Sequence, residues 1–335
     1  MAPETDAARL FDLSQHPRNL GTISVAVTTH SRAVLLDECL RSVLSQTLRA
    51  TEIVVSEDGA DADTAVVLAK HKAAGAPIRH VRNDPPLGQL MNRRQALQLT
   101  TGDFVAMLDD DDAWNDDFLS ETVSCLQASE CDFCSTDHHL MDADSNILEE
   151  ESDSSSSRFG RSTMIGGRYE DVLYRELVSK PFPLQFTLFA REILAAVGFF
   201  PTYAGSVPDF ALFLELGAAR VAGFYLPKRL GRYRVHPGQQ THSRIEQEES
   251  LTACLRGFYA RHHATITDRE RAAVARLYRA SVFELAIAHA HARQRSAAMG
   301  SLRAYRSLGW GWPQPARLAV LGALIAGARK RREVG

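Results

Sequence analysis

The chain has 335 residues, 45% hydrophobic and 24% charged, an ordinary globular composition with room for one large α/β domain and an appendage. Its formal net charge of −3 gives no sign of a nucleic-acid partner. Five cysteines, an odd number, read as reduced thiols, and the opening MAPETDAARLFDL has neither a basic n-region nor an apolar h-region. No targeting peptide is expected, residues 1–21 form an N-terminal extension, and the expected location is the cytoplasm.

From residue 22 to about 137 the pattern alternates strand and helix. Ile23–Val27 is a first strand ending in Thr28, Thr29 and His30, and Leu36, Leu40, Val43 and Leu44 follow at helical spacing. Ile53–Val55 is a second strand, ending in Glu57, Asp58 and Gly59. Val66–Ala69 lies in a second helix stopped near Gly75 and Pro77. Ile78–Val81 is a third strand, broken by Asn83, Asp84, Pro85 and Pro86. Leu90, Arg94 and Leu97 lie in a third helix, closed at Thr101–Gly102. Leu119, Val123 and Leu126 carry a later helix, and Cys131–Ser135 the next strand. Repeated βα units of this length imply a mostly parallel sheet flanked by helices, with right-handed crossovers.

The stretch Gly102–Phe118, GDFVAMLDDDDAWNDDF, dominates this half. Phe104–Leu108 suits a strand buried on both faces, and Asp109, Asp110, Asp111 and Asp112 follow it directly. Four adjacent carboxylates repel one another, and a hard divalent cation with oxygen ligands fits them better than a solvated turn does, because ligands bind beyond the carboxyl ends of such strands. Trp114, beside the run, is assigned to the core. No G-x-G-x-x-G or G-x-x-x-x-G-K-[ST] follows the first strand, which sets aside a dinucleotide dehydrogenase and a P-loop NTPase. Cys131-x-x-Cys134 with His138 and His139 hints at zinc, but buried strand thiols account better for it.

Residues 142–168, with Glu149–Glu151, Asp153 and Ser154–Ser157, read as a mobile loop. A helix is expected near Tyr169–Val178, further pieces at Phe186–Phe189, Arg191–Val197 and Phe210–Leu216, and two closing strands at Val221–Leu226 and Leu230–Val235. After Glu246 the chain turns helical. Leu318–Ala328 is too short to span a bilayer and precedes Arg329, Lys330, Arg331 and Arg332. A packed terminal helix with a solvated basic tail is preferred there, with peripheral contact to the inner face of a membrane as the alternative.

Four ordered pieces carry a likeness: VAVTTHSRAVLLDECLRSVLSQT, EIVVSEDGADADT, LGQLMNRRQALQLTTGDFVAMLDDDDAW, and FAREILAAVGFFPTYAGSVPDFALFLELG followed by RYRVHPGQQT. Together they resemble a family 2 glycosyltransferase of the nucleotide-sugar-binding GT-A fold, over residues 22–240. The implied organisation is a GT-A domain over 22–245, with a nucleotide-sugar half (22–137) and an acceptor and catalytic-base half (138–245), then a helical region over 246–335. The resemblance implies that Thr28, His30 and Arg32 line the nucleotide pocket, that Asp58 accepts a hydrogen bond from the base, and that Arg93 approaches the diphosphate. It makes Asp111, Asp109 and His236 ligands of Mn2+ or Mg2+, with Asp109 or Asp110 facing ribose and His236 also near the donor phosphates. Asp209 matches the catalytic base, although a helix cap is the ordinary reading of an Asp after Pro. Two positions depart from the family: Pro208 replaces the acidic neighbour of the base, and Arg94 stands where Asn is usual. The implied activity is inverting transfer of a sugar from a nucleoside diphosphate, UDP above all, to a hydroxyl on a glycan, a lipid-linked acceptor or a small molecule. The rival readings are a nucleotidyltransferase on a similar sheet and a binding protein with a decayed site.

Overall fold

The computed structural model describes residues 21–235 and 244–307. His236 and the terminal segment Leu318–Arg332 lie outside the described residues. The chain divides into two compact units, with boundaries after Pro201, Ala211 and Pro237.

The first unit runs through β1 (Ile23–Thr29), α1 (Ala33–Leu44), β2 (Glu52–Asp58), α2 (Ala62–Ala73), β3 (Ile78–Asn83), α3 (Gln89–Gln98), β4 (Phe104–Asp109), the short β5 (Ala113–Trp114), α4 (Phe118–Ser129) and β6 (Phe133–Met141). It continues with β7 (Ile147–Leu148), α5 (Glu149–Arg158), β8 (Gly167–Tyr169), α6 (Val172–Val178), β9 (Thr187–Ala190) and α7 (Arg191–Ala196). Then come α8 (Pro208–Ala218), whose first residues cluster with the second unit, and β10 (Gly223–Arg234). The sheet order is β3-β2-β1-β4-β9-β6-β10-β5, with β7 on β6 and β8 on β10. β1 through β4 pair in parallel, whereas β9 runs antiparallel to both β4 and β6.

The alternation of side chains along each strand explains the apolar runs. Val25, Val27, Ile53, Val55, Ala106 and Leu108 face one core with Leu36, Leu40 and Leu119, while Ala26, Val105, Met107 and Phe133 face a second with Leu97, Phe189 and Phe213. Helices cover both faces, so neither face of the central strands needs polar residues. Gly231 on β10 has a packing reason of its own: a Cβ there would lie 2.2 Å from the ring of the buried Phe186.

Three expectations change. Residues 142–168 are not an open loop but hold α5, because its buried face is made of hydroxyls rather than alkyl groups. Ser152 accepts from the Leu140 amide at 2.8 Å, Ser156 donates to Asp137 at 2.6 Å, and Glu149–Glu151 and Arg158 suit the two ends of the helix dipole. The two closing strands are one, β10, with register shifts against β6 around Arg229. Tyr169 belongs to β8, not to the helix that follows it.

The second unit contains α9 (Arg244–His262), α10 (Asp268–His291) and α11 (Arg295–Ser307). Thr267 and Glu270 form a capping box at the start of α10. α11 packs on α10 through Ala298 and Tyr305 against Phe283 and Ala286.

Candidate functional site

β1 and β4 are hydrogen-bonded neighbours, yet the chain runs on from β1 to β2 on one side and from β4 toward β6 on the other. In open α/β sheets ligands bind beyond the carboxyl ends of the strands at such a switch point. The register pairs Thr28 with Asp109, and the Thr28 hydroxyl donates to Asp109 Oδ1 at 3.2 Å. The apolar part of β4 is pinned in the core, so the four aspartates have to emerge at this end.

Each aspartate has a different environment. Asp109 is held by the guanidinium of Arg93, whose Nε lies 3.2 Å from Oδ1 and whose Nη2 pairs with Oδ2, and by Gln185 Nε2 at 2.8 Å. Burial pushes its carboxyl up, but Arg93, Gln185 and Thr28 outweigh that and keep it below the usual carboxylate range. Asp110 is fully buried, with Arg32 Nη2 3.0 Å from Oδ1, and burial raises its pKa to about 7 against the pull of that arginine. Asp111 pairs with Arg32 Nη1 at 2.6 Å. Asp112 accepts the Arg234 amide at 2.9 Å through Oδ1, while its Oδ2 is buried without a hydrogen-bond partner. Burial first, then the charges of Asp111 and Asp109, push Asp112 well above its ordinary range.

Carboxylate oxygens of Asp109, Asp111 and Asp112 lie within 4.8 Å of one another, the one such group of possible ligands among the described residues. An all-carboxylate donor set with an orphaned buried oxygen suits a hard divalent cation, whose charge would offset the burial and the repulsion that together drive Asp112 toward its neutral form. Mg2+ or Mn2+ therefore fits the residues present.

The structure brings Thr28, Arg32, Arg93, Asp109, Asp110 and Asp111 into one network. Asp58 and His30 form a second pair at the end of β2. Both Asp58 oxygens accept backbone N–H groups, from Leu87 at 2.6 Å and Gly88 at 2.9 Å, while the His30 ring bonds the Asp58 carbonyl through Nδ1. Gly88 takes φ +82° at the start of α3, which turns its amide toward that carboxylate. Asp209 is half-buried in the first turn of α8 behind Pro208, so it is not the cap residue. Arg94 donates to the Phe200 carbonyl at 2.9 Å and so serves the fold rather than a phosphate. Trp114 is a core residue, stacked on Phe118 at 4.4 Å between ring centroids.

Sequence reasoning passed over three residues of this site. Gln185 is buried, donates to Asp109, and accepts the Trp114 indole N–H at 2.7 Å through its backbone oxygen. A lone amide inside PFPLQFTLF was the available signal, because a buried polar side chain needs a partner. Arg234, 2% exposed, donates to the Asp111, Asp142 and Ala143 carbonyls and pairs with Glu38 at 2.7 Å. Nothing in RYRVHP distinguishes it from its neighbour Arg232. Asp112, third of the clustered carboxylates, was hidden among four identical residues.

Residues 24–188 match the model of the family described as glycosyl transferase family 2. A Campylobacter jejuni GalNAc(5)-diNAcBac-PP-undecaprenol beta-1,3-glucosyltransferase is 33% identical over 105 residues, 31% of this chain and 33% of that protein. The chain spans half or less of the length of the curated relatives it matches. Among solved structures, the mannosyltransferase PcManGT from Pyrobaculum calidifontis in complex with GDP-Man and Mn2+ superposes with a TM-score of 0.60 at 19% identity, covering 97% of this chain and 92% of that one. S. aureus TarS 1-349 in complex with UDP-GlcNAc gives 0.58 at 14% identity, covering 92% of each chain. These two likenesses establish a GT-A fold. The matched segment ends inside β9 and carries the whole strand-end network of Arg32, Arg93 and the aspartates, so residues 24–188, just under half of the chain, form a glycosyl transferase family 2 domain.

Proposed function

We propose that the protein transfers a sugar from a nucleoside diphosphate, UDP in the first instance, to an acceptor hydroxyl in glycan biosynthesis, with metal assistance and inversion at the anomeric carbon. The observation that carries this reading is the group of three carboxylates at the end of β4, flanked by two arginines. Asp109, Asp111 and Asp112 would hold Mg2+ or Mn2+, which supplies Lewis-acid stabilisation of the charge on the departing diphosphate. Arg32 and Arg93 bring cationic N–H donors to the same place, where they serve the diphosphate oxygens. Asp58 holds the turn before α3 and keeps lone-pair capacity for an N–H of the base.

Asp209 is the proposed base. It takes the acceptor hydroxyl proton as the oxygen bonds to the anomeric carbon; the bond from that carbon to the diphosphate oxygen breaks, and its electron pair leaves with the diphosphate. One displacement without a covalent enzyme intermediate inverts the centre. The relatives' printed activities support the reaction class, and a neighbour holding GDP-Man makes GDP-sugars the second donor to test.

The test is titration of UDP and GDP, with and without Mn2+, against the wild-type chain and Asp111→Asn. Tighter UDP binding with Mn2+, lost in the variant, is the expected result. Metal-independent binding of equal strength in both chains would refute the metal-assisted reading.

A further inference from the structure

The charge of this chain is unevenly divided. Residues 244–335 hold 16 arginines and lysines against 7 acidic side chains, a net of +9, whereas the first 243 residues hold 22 against 34, a net of −12. A basic segment of that size inside an acidic protein points to an anionic partner.

The second unit shows where the charge is displayed. From Asp268 to Tyr305, the exposed arginines are Arg269, Arg276, Arg293, Arg295 and Arg303. The one exposed acidic residue in that span is Asp268, which is already paired with Arg271. Glu270 is consumed in the capping box and Glu284 pairs with Arg244. On α11, Ala298 and Tyr305 are buried against α10, while Arg295, Met299 and Arg303 recur every four residues on the exposed side. Met299, 36% exposed, sits between the two cations on that stripe.

We propose that this face of α11, with Arg293 at the head of the helix, docks on the surface of an anionic lipid bilayer. Two features favour a bilayer over a soluble polyanion. An exposed thioether lies between the arginines, and an apolar group between cations gains from the acyl boundary but not from a hydrated polymer. The sequence that follows α11 also continues in kind: Trp310 and Trp312, then the apolar run Leu318–Ala328 and the basic Arg329–Arg332. Tryptophan is a residue of the membrane–water interface, and basic clusters favour anionic headgroups. The docking face is independent of the transferase reading and stands whatever the sugar donor.

The experiment is flotation of the full-length chain with vesicles of phosphatidylcholine alone and with 30% phosphatidylglycerol, at low and at physiological salt. Recovery with the anionic vesicles alone, weakening as salt rises, is expected. Each basic side chain near such a surface contributes about fivefold in partitioning. Arg295→Gln/Arg303→Gln should therefore lower recovery about 25-fold, and the double reversal to Glu several hundredfold, with UDP binding and melting temperature unchanged. Should the reversal lower the melting temperature, the Gln pair carries the test. Flotation of both variants like the wild type would place the contact beyond residue 307 and overturn the proposal. Indifference to lipid charge would overturn it as well, as would binding to inorganic polyphosphate as tight, per phosphate, as binding to the vesicles.

Discussion

His138 offers a direct test of the buried polar layer beneath the site. Its ring is 7% exposed, stacks on Phe186 with 4.6 Å between centroids, and leaves Nδ1 without a hydrogen-bond partner. Burial lowers its pKa to about 3, with Arg161 and Arg229 acting the same way and Asp137 opposing them. The folded chain therefore resists protonating a ring that the unfolded chain protonates near pH 6.5. The sign follows: this contribution to stability is intact above about pH 6.5 and is lost progressively as pH falls toward 3. At pH 5, linkage puts the loss at about 2 kcal/mol, a figure that holds for any folded value well below 5. His138→Phe keeps the stack and removes the titration. In urea unfolding at pH 7 and pH 5, the variant should lose about 2 kcal/mol less than the wild type across that interval, other histidines cancelling in the comparison. Equal losses in the two chains would show that the ring is protonated in the folded state, and the account of its burial would be wrong.

Two further outcomes follow from contacts at the site. Gln185→Leu removes one donor from the ionised Asp109 carboxylate while Arg93 remains. It should lower stability by about 1.5 kcal/mol, the low end for a charged hydrogen bond, and weaken Mn2+-dependent UDP binding about tenfold in calorimetry. Gly231→Ala drives a Cβ to within 2.2 Å of Phe186 and should destabilise by about 1–3 kcal/mol, read as a lower urea midpoint. A midpoint equal to the wild type would mean that the Phe186 ring, and the His138 ring stacked on it, can yield.

What could be read in advance follows from how each element is stabilised. β1, β2 and β4 are buried on both faces and so show as apolar runs, and the polar residues that close those runs, Thr28, Asp58 and Asp109, lie at the carboxyl ends of the strands. α5 was missed because Ser152 and Ser156 bind it to β6 by hydrogen bonds, which leave no apolar stripe. Arg234 was missed because its partners come from Glu38, from the turn after β4 and from residues 142–145, a convergence only the fold creates. The antiparallel direction of β9 was equally invisible: a four-residue apolar strand reads the same either way.

That inserted strand has a consequence for how the chain is made. β9 is translated some fifty residues after β6 begins, yet it alone joins β6 to β4, so the central ladder has no continuous hydrogen-bonded link until residue 190 has left the ribosome. Until then β4 and β6 each present an open edge, the kind of surface that recruits a second chain. Genetic fragments ending before Thr187 should therefore accumulate as aggregates, while fragments extended through Ala190 gain the strand that joins β4 to β6.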